Sequence, residues 1–141
     1  MDWVEQRAER ERIIRESAPE LWRDLCSAIN EAVKSMQRYY QEKALVNVEF
    51  VRVHENQVVV RRRQMSDRFE KFTSDCSFTF NPESCEIVVA IDNRRNAHRI
   101  TVEVDDTGRA SLALDGRQLT PDEVSQSILE PLFFLDQPDR R

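Results

Sequence analysis

Residues 76–114 read CSFTFNPESCEIVVAIDNRRNAHRITVEVDDTGRASLAL, and the fold follows from how this stretch divides. Apolar side chains alternate through Cys76, Phe78 and Phe80, then through Cys85, Ile87, Val89 and Ile91, then through Ile100, Val102 and Val104, and last through Ala110, Leu112 and Leu114. A period of two belongs to strands, whose successive side chains point to opposite faces of a sheet. Turn formers separate the runs: Pro82-Glu83, the loop 92–97, and Asp106-Thr107-Gly108, where Gly108 supplies the left-handed residue of a bulged hairpin.

Pairing Asn81 with Ser84 sets Phe80 opposite Cys85, Phe78 opposite Ile87 and Cys76 opposite Val89. Pairing Ile91 with His98 sets Val89 opposite Ile100 and Ile87 opposite Val102, and the third hairpin sets Val102 opposite Leu112 and Ile100 opposite Leu114. One apolar face thus runs through four strands, and a one-residue slip would turn it over. The other face, with Ser77, Thr79, Glu86, Arg99, Thr101 and Ser111 among its residues, suits partial exposure to water. This register leaves Glu86 opposite Glu103, a like-charge pair that costs stability. Either Arg99 or another cation relieves it, or the strands pair differently there.

Upstream, Val46 to Val53 and Val58 to Arg62 read as two further strands joined by His54-Glu55-Asn56-Gln57. Residues 64–75 fit either a short helix or an extension of the next strand. Before them, Ser17, Pro19 and Glu20 form a helix start, and Trp22, Cys26, Ile29, Val33, Met36 and Tyr40 recur at steps of three and four, predicting a helix over 18–41. Residues 2–16 also read as helix, with a thin apolar face and Glu11 and Arg15 at a favourable spacing. Downstream, Thr120-Pro121-Asp122-Glu123 starts a short helix that turns Val124, Ile128, Leu129 and Leu132 inward, with Pro131 ending or kinking it. The expected fold is α+β: N-terminal helices, an antiparallel meander of five or six strands, and a C-terminal helix packed on one sheet face. It is expected as a single domain over 1–141, with 1–16 as a helical arm.

With 141 residues, 40% hydrophobic and 33% charged, such a chain buries roughly 70% of its unfolded surface without needing disulfides or a metal. Its longest apolar runs, such as Ile87 to Ile91, are far too short to cross a bilayer. Met1 to Glu16 mixes Arg and Glu without the apolar centre of a signal peptide, so a cytoplasmic location is expected. Cys26, Cys76 and Cys85 are widely spaced, without CxxC or Cys/His pairing, and read as buried free thiols. The net charge of −5 argues against a generally basic nucleic-acid binder, while the excess of Lys and Arg over 44–72 leaves room for a local basic patch.

Catalysis has little raw material: two histidines, His54 and His98, and no phosphate loop, GxSxG or HExxH. His98 with Asp92 or a cysteine is a thin starting point, and a His at a strand end is more often structural. Asp105, Asp106 and Asp115 are read as turn residues rather than calcium ligands. No catalytic residue, metal ligand or cofactor is therefore assigned. The candidate contacts for an anion or partner are Arg61 and Arg63, which share a strand face that Arg62 does not, and Arg94, Arg95 and His98. The candidate interface residues are Trp3, Ile13 and Ile14 at one end and Phe133 and Phe134 at the other, since surplus apolar surface marks interaction sites.

The order of elements loosely resembles that of small acidic secretion chaperones and of cone-shaped small-ligand domains, an analogy of fold that carries no residue. The function expected is a non-enzymatic binding, adaptor or chaperone-like module acting through protein contacts. Its expected partner is a second copy, as a homodimer, or another protein. The alternatives are a small anionic-ligand domain or unrecognised enzyme with a pocket between helix and sheet, and nucleic-acid contact through the arginine patch. No membrane partner is expected, and nucleic acid is the less favoured.

Overall fold

The computed structural model describes residues 2–40, 46–66, 69–92 and 94–134, with side chains at all of these except 65, 66, 69–72 and 94–96. The elements run α1 (Trp3–Tyr39), β1 (Val46–His54), β2 (Gln57–Ser66), β3 (Phe69–Asn81), β4 (Glu86–Ile91), β5 (Arg94–Val104), β6 (Ala110–Leu114), β7 (Arg117–Leu119) and α2 (Pro121–Phe133). The strands form one antiparallel sheet in the order β1-β2-β3-β4-β5-β6-β7. Both helices lie on the same face, and their inner residues share one core with Val58, Val60, Cys76, Phe78, Ile87, Ile100 and Leu112. The class is the α+β expected, with seven strands in place of five or six.

Two strands were longer or later than the pattern suggested. Residues 69–75 extend β3, and Asp115-Gly116, both at positive φ (53° and 77°), turn the chain into β7. An Asp-Gly pair with both residues left-handed is a favoured two-residue hairpin turn, so the turn chemistry at Asp115 also implied a strand beyond it.

The apolar face runs as the alternation implies, but two of the three pairings are displaced. Phe80 faces Ile87 and Phe78 faces Val89, because the chain reverses over four residues rather than two. Cys85 takes a left-handed φ of 57° to close that turn, and the Asn81 side chain accepts from the Glu83 amide at 2.9 Å. The β4–β5 register moves likewise, with Ile87 opposite Ile100 and Val89 opposite His98. A shift of two leaves every side chain on its own face, so the core is unchanged. It also removes the clash expected between Glu86 and Glu103: Val88 now faces Arg99, whose Nε sits 3.4 Å from the Glu86 carboxylate. The β5–β6 hairpin pairs as expected, Val102 with Leu112 and Ile100 with Leu114, with Gly108 at φ 82°. Arg94 and Arg95 open β5 rather than lying in a loop, since Ile91 already faces Arg94 across a tight turn with Asp92 at φ 50°.

The N-terminal helical segments are one helix. Asp2 caps it, accepting from the Glu5 amide at 2.8 Å, and it passes through Pro19 without ending. Pro19 removes the bond to the carbonyl four residues back. Around that gap Arg12 bridges to Glu9 and Glu16, and Ala18 and Trp22 are buried on the side facing the sheet. Trp22 stacks on Phe80 with centroids 5.8 Å apart, and its indole N–H donates to the Glu55 carbonyl at 2.9 Å, fixing the helix to both the sheet and the β1–β2 turn. The helix α2 begins with a reciprocal cap: the Thr120 amide donates to the Glu123 carboxylate at 2.9 Å and the Glu123 amide to the Thr120 hydroxyl at 3.2 Å. Pro131 sits in its last turn and the helix continues to Phe133. Among the described residues no helix is long and apolar enough to cross a membrane.

Candidate functional site

The residues singled out from the sequence fall in four places. Arg61 and Arg63 share the uncovered face of β2 and are matched there by carboxylates: Arg61 Nε lies 2.9 Å from Asp75, and Arg63 lies 3.2 Å from Glu49. Their charge is spent largely across the strands. Arg62, between them in sequence, points the other way and is wholly buried, opposite Val48 on one side and Ser74 on the other.

His98 is half-buried and shares with Ser74 and Asp92 a cavity of about 190 Å³ between the sheet and the end of α2. The Ser74 hydroxyl donates to the Asp92 carboxylate at 2.9 Å, and so does the Asp75 amide at 3.0 Å. Ser74 thus gives its proton to the carboxylate rather than to His98, and the nucleophile-to-base bond that hydrolytic chemistry needs is not made. The cavity is below the several hundred Å³ typical of ligand pockets. The strands bring His98 and Asp92 together as neighbours of one cavity, and Arg94 and Arg95 open β5 beside it, Arg94 opposite the cavity residue Ile91.

At the chain ends, Phe133 is buried and Phe134 is half-buried, its ring edge-on to Tyr39 at 6.2 Å. Ile14 packs on the core and Ile13 is half-buried, whereas Trp3 is 74% and Val4 54% exposed. The thiols of Cys26, Cys76 and Cys85 are all free and buried. Burial pushes the Cys76 thiol up to about 12, with the Asp92 charge adding to it. Among the described residues no three of His, Cys, Asp and Glu gather as a metal site would require.

A mostly apolar concavity lies elsewhere. The helices run side by side in the same direction: the Tyr40 hydroxyl reaches the Phe133 carbonyl at 3.0 Å at one end, and Leu21 and Asp24 approach Pro121 at the other. Between them, on the side away from the sheet, opens a groove of about 320 Å³. Its apolar walls are Ala28, Ala32 and Met36 from α1 and Leu129, Phe133 and Phe134 from α2. Small residues at Ala28 and Ala32, one turn apart, hold the α1 wall low where bulkier side chains would close the gap. Glu31, Asp122 and Glu130 stand on its rim. A shallower depression of about 290 Å³ continues it toward the start of α2, lined by Asp24, Ser27, Ala28, Glu31, Pro121 and Asp122.

The rim is acidic. Lys34 approaches Glu31 at 3.5 Å and Arg38 donates to Ser35 at 3.1 Å, both from outside the groove. Asp24, Asp122 and Glu130 have no ion-pair partner among the described residues. Sequence reading missed this site because its two walls come from opposite ends of the chain. The one local signal was the pair Ala28 and Ala32 beside the periodic stripe of Ile29, Val33 and Met36. No known protein family, curated protein or solved structure matches the chain.

Proposed function

We propose that the protein is a non-enzymatic adaptor or chaperone-like module that binds another protein in the groove between α1 and α2. The observation that carries this reading is the groove itself: an apolar trough of about 320 Å³ with an exposed polar rim. Such a surface combines the dry contact that supplies affinity with a wet margin that supplies orientation. The Ser74 hydroxyl is engaged by Asp92, and the matched charges of Arg61 and Arg63 favour neither an anion nor nucleic acid there.

The test is a groove-filling substitution. Ala32→Trp adds an indole on the open side of α1, where Ala32 is only half-buried, and leaves the sheet-facing stripe intact. Proteins retained by the wild-type chain from its own cell extract should be lost with A32W at unchanged thermal stability. Equal retention by both would remove the reading.

Self-association through the arm is a second reading, carried by the exposure of Trp3 and Val4 ahead of the first buried side chain, Ala18. Sedimentation of the full chain and of a chain lacking residues 1–16 distinguishes it. A dimer that persists without the arm, or a monomer in both, would end it.

A further inference from the structure

We infer that the occupant of the α1–α2 groove is a cationic amphipathic helix, its apolar stripe seated between the two helices and its Lys and Arg side chains over the Asp24–Glu31–Asp122 end. This rests on the proposal that the groove is a protein-binding site, and names the chemistry of the partner. Three features of the groove support it.

The first is shape. The walls alternate in helical steps, Ala28, Ala32 and Met36 on one side and Ser125, Leu129 and Phe133 on the other. At 1.5 Å per residue they extend about 12 Å, a little over two helical turns. A third helix laid in such a trough presents side chains at i, i+3 or i+4, and i+7 to both walls.

The second is polarity along the groove. Its floor toward the C-terminal ends of the helices is aromatic and aliphatic, with Met36, Leu129, Phe133 and Phe134. Toward the start of α2 it passes into a depression holding Asp24, Glu31 and Asp122, with no cation among its lining residues. One rim carboxylate, Glu130, stands at the apolar end and three, Asp24, Glu31 and Asp122, at the other, so the occupant's cations fall mainly toward the start of α2.

The third is the sign of the charge. Asp24 and Asp122 have no ion-pair partner among the described residues, and a partner bringing cations supplies one while it buries its apolar face. An anionic or neutral-headed helix gains only the apolar part. The chain's own arm is a poor occupant on this ground: it interleaves Arg7, Arg10 and Arg12 with Glu5, Glu9 and Glu11, and Arg12 is already engaged by Glu9 and Glu16.

The experiment uses the full chain and three fluorescein-labelled helical peptides sharing one leucine stripe, with a terminal turn bearing lysines, glutamines or glutamates. Anisotropy titrations are run in 50 mM and 500 mM salt against the wild type, Ala32→Trp and the double variant Asp24→Asn/Glu31→Gln. The expected result is binding at least tenfold tighter for the lysine peptide than for the glutamate peptide, a preference that shrinks in high salt and in the double variant. All binding should fail in A32W. Equal affinity for the three peptides, abolished by A32W, would overturn the cationic partner and leave the groove as a general helix-binding site. Peptide binding indifferent to A32W, or no binding to the wild type, would overturn both. Concentration-dependent self-association that A32W abolishes would make a second copy the occupant and also overturn the inference.

Discussion

Cys76 lies at the middle of the sheet's covered face, wholly buried beneath the helices, and its thiol is held neutral there by loss of water and by the nearby Asp92 charge. The folded-state pKa is raised, to about 12 from an ordinary value of 9.0. The stability that accompanies the neutral thiol is therefore complete below the unfolded value and drains away as pH rises toward the folded one. Between pH 9 and 12 this group alone should cost the fold on the order of 4 kcal/mol, and the raised thiol of Cys26 acts in the same direction. Urea midpoints measured across that window should fall steeply for the wild type and less steeply for Cys76→Ala. Parallel curves would show that the thiol is not the titrating group. Gly116 makes a different demand. Its φ of 77° is open to glycine and strained for other residues, and a methyl group added there meets nothing within 4 Å. Gly116→Ala should therefore act through backbone conformation alone, lowering stability by about 1 kcal/mol. Equilibrium denaturation gives that difference directly.

Among the elements, α2 depends most on its first residues. The reciprocal bonds between Thr120 and Glu123 satisfy amides that no preceding turn can serve, and the Thr120 amide and hydroxyl hold the Glu123 carboxyl below its usual range. Removing the hydroxyl in Thr120→Ala should cost about 1 kcal/mol and raise amide exchange in the first turn of α2 ahead of the rest of the chain. Uniform exchange changes would mean that the cap has no local part in holding the helix. The same cap orients one wall of the groove, so frayed α2 should also bind a groove partner less well. The helix α1 makes the opposite case: Pro19 would end it on local grounds, yet the chain stays helical because Ala18 and Trp22 are buried against the sheet and Arg12 ties the preceding turn together.

For the molecule as a whole, stability rests on one layer of apolar side chains pressed between the sheet and two helices, with Phe78 at 0% exposure near its centre. Truncation there should cost about 3 to 5 kcal/mol, the range for a buried aromatic that leaves a cavity. Phe78→Ala should accordingly lower the urea midpoint far more than Gly116→Ala or Thr120→Ala. A smaller loss would show that the layer collapses to fill the space. The face assignment of Phe78, Ile87, Val102 and Leu112 was legible in the sequence because a strand's side chains alternate with a period of two, a rule that needs no knowledge of neighbours. The start of α2 was legible for the same reason, since Thr120, Pro121 and Glu123 act within one turn. Which residue faced which across β3, β4 and β5 was not, because pairings displaced by two keep every side chain on its face, and the left-handed residues Cys85 and Asp92 sit in the turns that select among them. The groove was hidden more deeply. Ala28 and Leu129 are ordinary residues of two amphipathic helices, and Asp24, Glu31 and Asp122 are ordinary exposed carboxylates, until the sheet lays α1 and α2 side by side. The sequence by itself determined the alternation, the covered face and the start of α2, since each depends on residues a few positions apart, whereas Ser17, Pro19 and Glu20 lie inside the unbroken α1 rather than at a helix start. Tertiary structure decided the register, the unbroken α1 and the acidic trough, because those are set by contacts between parts of the chain that no local pattern connects.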